Sequence, residues 1–203
     1  MKKAVNLVLC LIILMTLSQT NMNAKKNDGS QTALLLIDIQ YFYFPGAKQP
    51  LLNPEEASLN AQKLLTHFRD TGKLIIHVRH NSKTGGEIHE NVTPLETEKV
   101  ISKNSVNSFK DTDLLDYLKE NEIKKLVICG MMIHMCVEAA VRAASDFGFE
   151  VTLIQDACTT RTLKYGDKEI PAEAVHASTL ASLSGYYAKV TDTESFLSDF
   201  IKK

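Results

Sequence analysis

The sequence predicts a single three-layer αβα domain built on a mostly parallel sheet of five or six strands. Three observations carry that expectation. Short apolar runs closed by turn residues alternate along the chain with stretches of helical periodicity, and such alternation gives a parallel sheet covered by helices on both faces. The runs Ala33–Asp38 (ALLLID) and Lys125–Cys129 (KLVIC) show no polar alternation, as expected of strands buried on both sides. A length of 203 residues with 44% hydrophobic content suffices for one full core.

In order, Ala33–Asp38 is the first strand, and Ile39–Gly46 (IQYFYFPG) an aromatic loop stopped by Pro45-Gly46. Asn53-Pro54 supplies a cap and a proline at the first helical position. Leu59, Leu64, Leu65 and Phe68 give that helix its apolar face, and Gly72 ends it. Lys73–Val78 is the second strand. Arg79–Val100 is polar and reads as a long loop, a feature that in compact domains is usually functional. A short edge strand follows at Val100–Lys103, then a helix at Thr112–Asn121 and the strand Lys125–Cys129. The helix Met135–Phe147 is closed by Gly148. Glu150–Gln155 is a strand, 156–170 a loop and Pro171–Leu183 a helix. Tyr187–Val190 is the last strand and Thr193–Ile201 the last helix.

The N-terminus reads separately. Lys2 and Lys3 precede the uncharged apolar run Ala4–Leu17, and a polar stretch follows. That order is the pattern of a secretory leader, and about fourteen apolar residues is short of the roughly 20 a membrane span needs. The expected organisation is a leader over 1–24, with an uncleaved anchor as the alternative, a polar linker over 25–32 and the domain over 33–203. The expected location is therefore periplasmic or secreted, with no membrane attachment after cleavage. A net charge of −1 with no charge block gives no basis for nucleic-acid binding. Beyond the leader the cysteines are Cys129, Cys136 and Cys158, whose spacing fits no zinc pattern. Their odd number leaves at least one thiol unpaired, and a Cys129–Cys158 bridge stays open.

The chemistry is expected around Cys136. A strand that enters a helix through a tight turn places this thiol at a helix N-terminus, where unpaired N–H groups and the positive dipole end lower a thiol pKa. Ligands of such sheets bind at the carboxyl ends of strands, where strand order reverses. If the first strand neighbours Lys125–Cys129, Asp38 and Cys136 converge there. Thiol hydrolysis of an amide needs a nucleophile, a group that takes a proton and later returns it, and donors for an oxyanion. Cys136, Asp38 and the backbone N–H groups of the turn 132–136 match those needs. Lys103 is the candidate cation that stabilises thiolate and carboxylate together.

These residues carry a family resemblance. LLLIDIQ with Asp38, VISKNSVNSF with Lys103, GMMIHMCVEAAVRAA with Cys136 and VTLIQDACTT with Asp156 occur in this order, with VHASTLASL after them. From about Ala33 to Val190 the chain resembles the isochorismatase-like cysteine hydrolases, a superfamily that includes nicotinamidases, N-carbamoylsarcosine amidohydrolase and ureidoacrylate hydrolases. The resemblance implies a Rossmann-like sandwich, an Asp38–Lys103–Cys136 triad and a homodimer or tetramer. It also implies a cis peptide at Met131–Met132, with the N–H groups of Met132 and Cys136 forming the oxyanion hole. Isochorismatases proper commonly lack the cysteine and cleave a vinyl ether, so Cys136 implies a small amide or carbamoyl substrate. The metal site of nicotinamidases uses an aspartate and histidines in the loops after the first two strands. No histidine lies between Asp38 and Asn53, so neither metal nor cofactor is expected. Position 133 is Ile where the family often has Thr.

Phe44, His80 and His134 are the expected substrate contacts, His80 by resemblance. Phe44 with Tyr41 and Phe42 would form an aromatic wall for a planar or apolar substrate, with core anchoring of the loop as the alternative for each. His77 and His80 as metal ligands would need further ligands from elsewhere. Gln40 is expected to hold the loop backbone and Asp156 to brace a turn. Arg161 and Lys164 are read as solvated loop charges, with an anionic partner as the alternative. Two other functions remain compatible with the sequence: a nicotinamidase proper, and a non-catalytic exported binding or thiol-redox protein, since fold alone does not assign function.

Overall fold

The computed structural model describes residues 31–47 and 50–201; the expected leader and most of the linker lie outside them. Six strands form one parallel sheet: β1 (Thr32–Ile37), β2 (Leu74–His80), β3 (Lys99–Lys103), β4 (Lys125–Met131), β5 (Glu150–Thr159) and β8 (Lys189–Thr191). Their order is β3-β2-β1-β4-β5-β8. The helices are α1 (Pro54–Asp70), α2 (Leu114–Glu120), α3 (Glu138–Asp146), α4 (Ala172–Leu183) and α5 (Thr193–Ile201). Among the described residues no helix is long and apolar enough to cross a membrane.

β1 lies between β2 and β4, and each of its residues from Thr32 to Ile37 is buried. A strand flanked on both edges and covered on both faces has no polar side, which explains the unbroken apolar run. α1 begins at Pro54 after Asn53 and stops before Gly72, whose φ of +61° suits a residue without Cβ. Its buried face is Ala57, Ala61, Leu64, Leu65 and Phe68. Leu59 was expected on that face but is 42% exposed; the small Ala57 and Ala61 instead allow α1 to lie close to the sheet. α1 packs on β5 and α5, and Phe68 stacks with Phe196 of α5 at 6.5 Å between ring centroids.

Two expected loops are more ordered than the sequence suggests. The second strand continues to His80, a 3-10 turn forms at Glu90–Val92, and β3 begins at Lys99. The segment 156–170 carries the end of β5 and then an antiparallel hairpin of β6 (Leu163–Tyr165) and β7 (Lys168–Ile170). β4 and β5 both outrun their expected ends because their register shifts: Ile128 pairs with Leu153, but Gly130 pairs with Cys158. Extra residues in one strand bend it and let pairing resume further on. The apolar pattern alone does not reveal this, since the bulged residues include the polar Gln155 and Asp156.

From β1 the chain winds outward through β2 to β3, then returns to place β4 on the other side of β1. The strand order reverses there, which opens a crevice at the carboxyl ends of β1 and β4. Gly130 makes their close approach possible. Its φ is +130°, and a Cβ at this position would stand 2.0 Å from the Ile37 carbonyl oxygen. Gly130→Ala is therefore expected to cost more than about 4 kcal/mol of stability or to prevent folding. Urea unfolding is the check, and an unchanged midpoint would refute the packing constraint.

Candidate active site

Asp38 follows β1 directly and adopts a left-handed backbone with φ +50°, uncommon for a residue with a side chain. Its N–H donates to the Val78 carbonyl at 2.9 Å, so the end of β2 anchors the turn. Lys103 ends β3, and Cys136 lies in a π-helical turn, Ile133–Val137, between β4 and α3. The π hydrogen bond runs from Val137 N–H to the Met132 carbonyl at 3.3 Å. Single π turns of this kind recur at functional sites. The peptide Met131–Met132 is cis, as the resemblance implied.

These three side chains meet. Lys103 Nζ donates to Asp38 Oδ2 at 2.7 Å and to Cys136 Sγ at 3.3 Å. The Asp38 and Lys103 side chains are both 0% exposed, and Cys136 is buried. Among the described residues Asp38 Oδ1 is buried with no hydrogen-bond partner, while the Cys136 side chain acts on the same carboxyl. Burial raises the proton affinity of Asp38 above that of an ordinary carboxylate, and the Lys103 charge opposes the shift without cancelling it.

Cys136 departs from its expected electrostatics. Burial, then the negative charge of Asp38, push the thiol up to about 12 against the pull of Lys103. The expectation of a lowered pKa from the helix end is overturned. Helix-end stabilisation is a modest effect confined to the first turn, whereas removing a thiolate from water next to a carboxylate is a large penalty. Both effects favour the thiol over the thiolate. Cys129 and Cys158 are free thiols, also pushed up by burial.

Gln40, itself fully buried, organises the approach to the site. Its side-chain oxygen accepts from His80 N–H at 2.7 Å, and its amide donates to the carbonyls of His80 (3.0 Å) and Gly86 (2.7 Å). The strap 82–86 is held against the aromatic turn Tyr41–Tyr43 by Phe42 N–H bonding to the Gly85 carbonyl at 3.0 Å. A Cβ on Gly85 would meet Phe42 N at 2.9 Å. Between these segments lies a cleft of about 820 Å³, lined by Tyr41, Phe42, Tyr43, Pro45, the strap and Met132. None of its lining residues among those described is charged.

The expected substrate contacts divide. His80 reaches the ion pair, with Nδ1 3.5 Å from Lys103 Nζ. Phe44 does not line the cleft; it is buried and stacked on His89 at 3.6 Å between centroids. Tyr43 takes the place expected of it, and sequence reasoning missed it because a 3-10 turn, not an extended loop, decides which ring faces inward. Its phenol is pushed up chiefly by burial, with Arg161 opposing. His134 Nδ1 hydrogen-bonds to Thr160 Oγ1 at 2.5 Å, which ties the π turn to the end of β5. Arg161 also acts on His134, so its charge is felt at the site. His77 turns away: strand alternation puts residues three apart on opposite faces, and His77 Nε2 bonds to Glu98 Oε2 at 3.0 Å. It does not converge with His80 on a metal position. Asp156 Oδ1 accepts from Thr193 N–H and Oγ1, both at 2.8 Å, and so braces the start of α5.

At the reversal point of this doubly wound sheet a buried carboxylate, a lysine and a thiol share one site. The chain belongs to the isochorismatase family: residues 32–195 match the isochorismatase domain. It is 50% identical over 177 residues to the isochorismatase family protein YddQ of Bacillus subtilis, spanning 82% of this chain and 98% of that protein. The structure superposes on an isochorismatase hydrolase from Oleispira antarctica with a TM-score of 0.81 and 42% identity, covering 83% and 97% of the two chains. Relatives of named activity include a streptothricin hydrolase of Streptomyces noursei, 32% identical over 63% of this chain and 49% of that protein. Nicotinamidase 3 of Arabidopsis thaliana is 25% identical over 84% and 89%.

The ion pair is expected to be strongly coupled. Lys103→Met leaves the Asp38 carboxylate buried without its cation and should cost about 3–5 kcal/mol. The double variant with Asp38→Asn should be more stable than Lys103→Met alone. Urea unfolding at neutral pH measures both; costs that simply add would show that the two charges do not depend on each other.

Proposed function

We propose that this isochorismatase-family hydrolase cleaves a C–N bond of a small amide or carbamoyl compound through a thioester on Cys136. One observation supports this above all: a single ammonium bridges a buried carboxylate and a buried thiol. In the proposed reaction Asp38 takes the Sγ proton, and sulfur attacks the substrate carbonyl. Lys103 holds the negative charge as it moves, and the N–H groups of Met132 and Cys136 receive the oxyanion. Asp38 then gives its proton to the leaving nitrogen, and ammonia or an amine departs. Water, deprotonated by Asp38, attacks the thioester. The acid is released and the thiol recovers its proton.

Burial favours this use of Asp38, because a carboxyl of raised proton affinity is a better base. The cleft beside the site has aromatic and small uncharged walls, which suit a flat, uncharged acyl portion. A thiol placed to attack supports acyl transfer over vinyl-ether cleavage, which needs no covalent intermediate on sulfur.

Amine release from a panel of small aromatic and aliphatic amides and carbamoyl compounds tests the reading, together with intact-mass detection of an acyl adduct. Cys136→Ala is expected to lower kcat by about 10⁴-fold or more while leaving the fold intact. Undiminished turnover by Cys136→Ala, or vinyl-ether hydrolysis with no adduct, would contradict it.

A further inference from the structure

His80 is the register partner of Lys103 in the β2–β3 ladder, and partners in a ladder project side chains on the same face. Lys103 Nζ has three protons and, among the described residues, three acceptors: Asp38 Oδ2, Cys136 Sγ and His80 Nδ1. An ammonium on a flexible four-carbon stem holds a fixed direction only when its donors are committed. Its side chain is 0% exposed, so in the folded protein these side chains are what its donors meet.

The backbone of His80 is fixed more firmly than a strand end requires. Gln40 accepts from its N–H and donates to its carbonyl, and Asn81 N–H bonds to the Lys103 carbonyl at 2.9 Å. Strand end, imidazole and lysine are thereby locked in one register. For Nδ1 to accept from an ammonium, the ring must carry its own proton on Nε2.

We propose that His80 is a positioning residue: its Nδ1 takes the third proton of Lys103 and holds the ammonium against both Asp38 and Cys136. The inference rests on the cysteine-hydrolase reading above and assigns His80 to Lys103 rather than to substrate binding. Gln40 serves the same end one step removed, by fixing the main chain from which the ring reaches.

The test uses p-nitrophenyl acetate, an activated ester whose acyl transfer to a thiol releases a coloured leaving group, and two near-isosteric variants. His80→Leu keeps the bulk and removes the acceptor; His80→Asn keeps an oxygen near the Nδ1 position. His80→Leu is expected to lower kcat by about ten- to a hundredfold, the range for one lost hydrogen bond to a charged group, with KM nearly unchanged. His80→Asn is expected to recover most of kcat. If His80→Leu does not fold, as judged by circular dichroism, the Asn variant decides alone: near wild-type kcat supports the role, and a loss as deep as the Leu range overturns it. Equal loss in both variants, a rise in KM at constant kcat, or no effect in either also overturns it. Cys136→Ala separates this failure from failure of the underlying reading. If that variant still turns over the ester, the cysteine mechanism falls; if it is inactive while both His80 variants behave as wild type, only the positioning role falls.

Discussion

The structure depends on one buried ion pair. Asp38 and Lys103 lie 2.7 Å apart with both side chains shut off from solvent, and neither charge would be tolerated there alone. The topology brings them together at some length. Lys103 belongs to β3, two strands from β1 in the order β3-β2-β1-β4, so its stem must pass the carboxyl end of β2 to reach the aspartate. From the other side, β4 approaches β1 closely only because position 130 has no Cβ. Cys136, just beyond that approach, then joins the pair at 3.3 Å.

This arrangement changes what the thiol needs in order to react. Burial disfavours a thiolate here, and a thiolate and a carboxylate together against one ammonium would be over-charged, so both effects favour the protonated thiol. In the proposed reaction its proton moves to Asp38, which keeps the net charge of the site constant and shifts one negative charge from oxygen to sulfur beside the same lysine. The site therefore does not have to desolvate a second anion during reaction, which is where electrostatic preorganisation gains its effect. A reactive thiol here means one with a base beside it, not one already ionised at rest.

Most of this was legible in the sequence. Continuous apolar runs marked β1 and β4 as central, and a parallel sheet of that kind places its ligand site at the carboxyl ends of strands. Asp38, Lys103 and Cys136 follow from those positions and from the four ordered motifs. What stayed hidden depended on local geometry that side-chain type does not encode. The shift in the β4–β5 register lengthened both strands through residues that read as loop. The 3-10 turn at Tyr41–Tyr43 exchanged Phe44 for Tyr43 as the inward ring. The thiol pKa went the opposite way because burial and a carboxylate neighbour outweigh a helix end, and neither burial depth nor that contact is visible from spacing. His80 was recognisable as a site residue, but its partner was Lys103, set by β2–β3 register.

The measurement that bears most directly on the role of the ion pair is thiolate absorbance at about 240 nm against pH, taken as the difference between the wild-type protein and Cys136→Ala. The ordinary thiol pKa is about 8.5. With Asp38 in place, Cys136 should show no thiolate step between about pH 6 and 9, because burial and the carboxylate hold its proton. In Asp38→Asn, with the competing anion gone and Lys103 still present, the step should move down toward that window even as turnover is lost. A full thiolate step in the wild type over that range, or no downward movement in Asp38→Asn, would contradict the account.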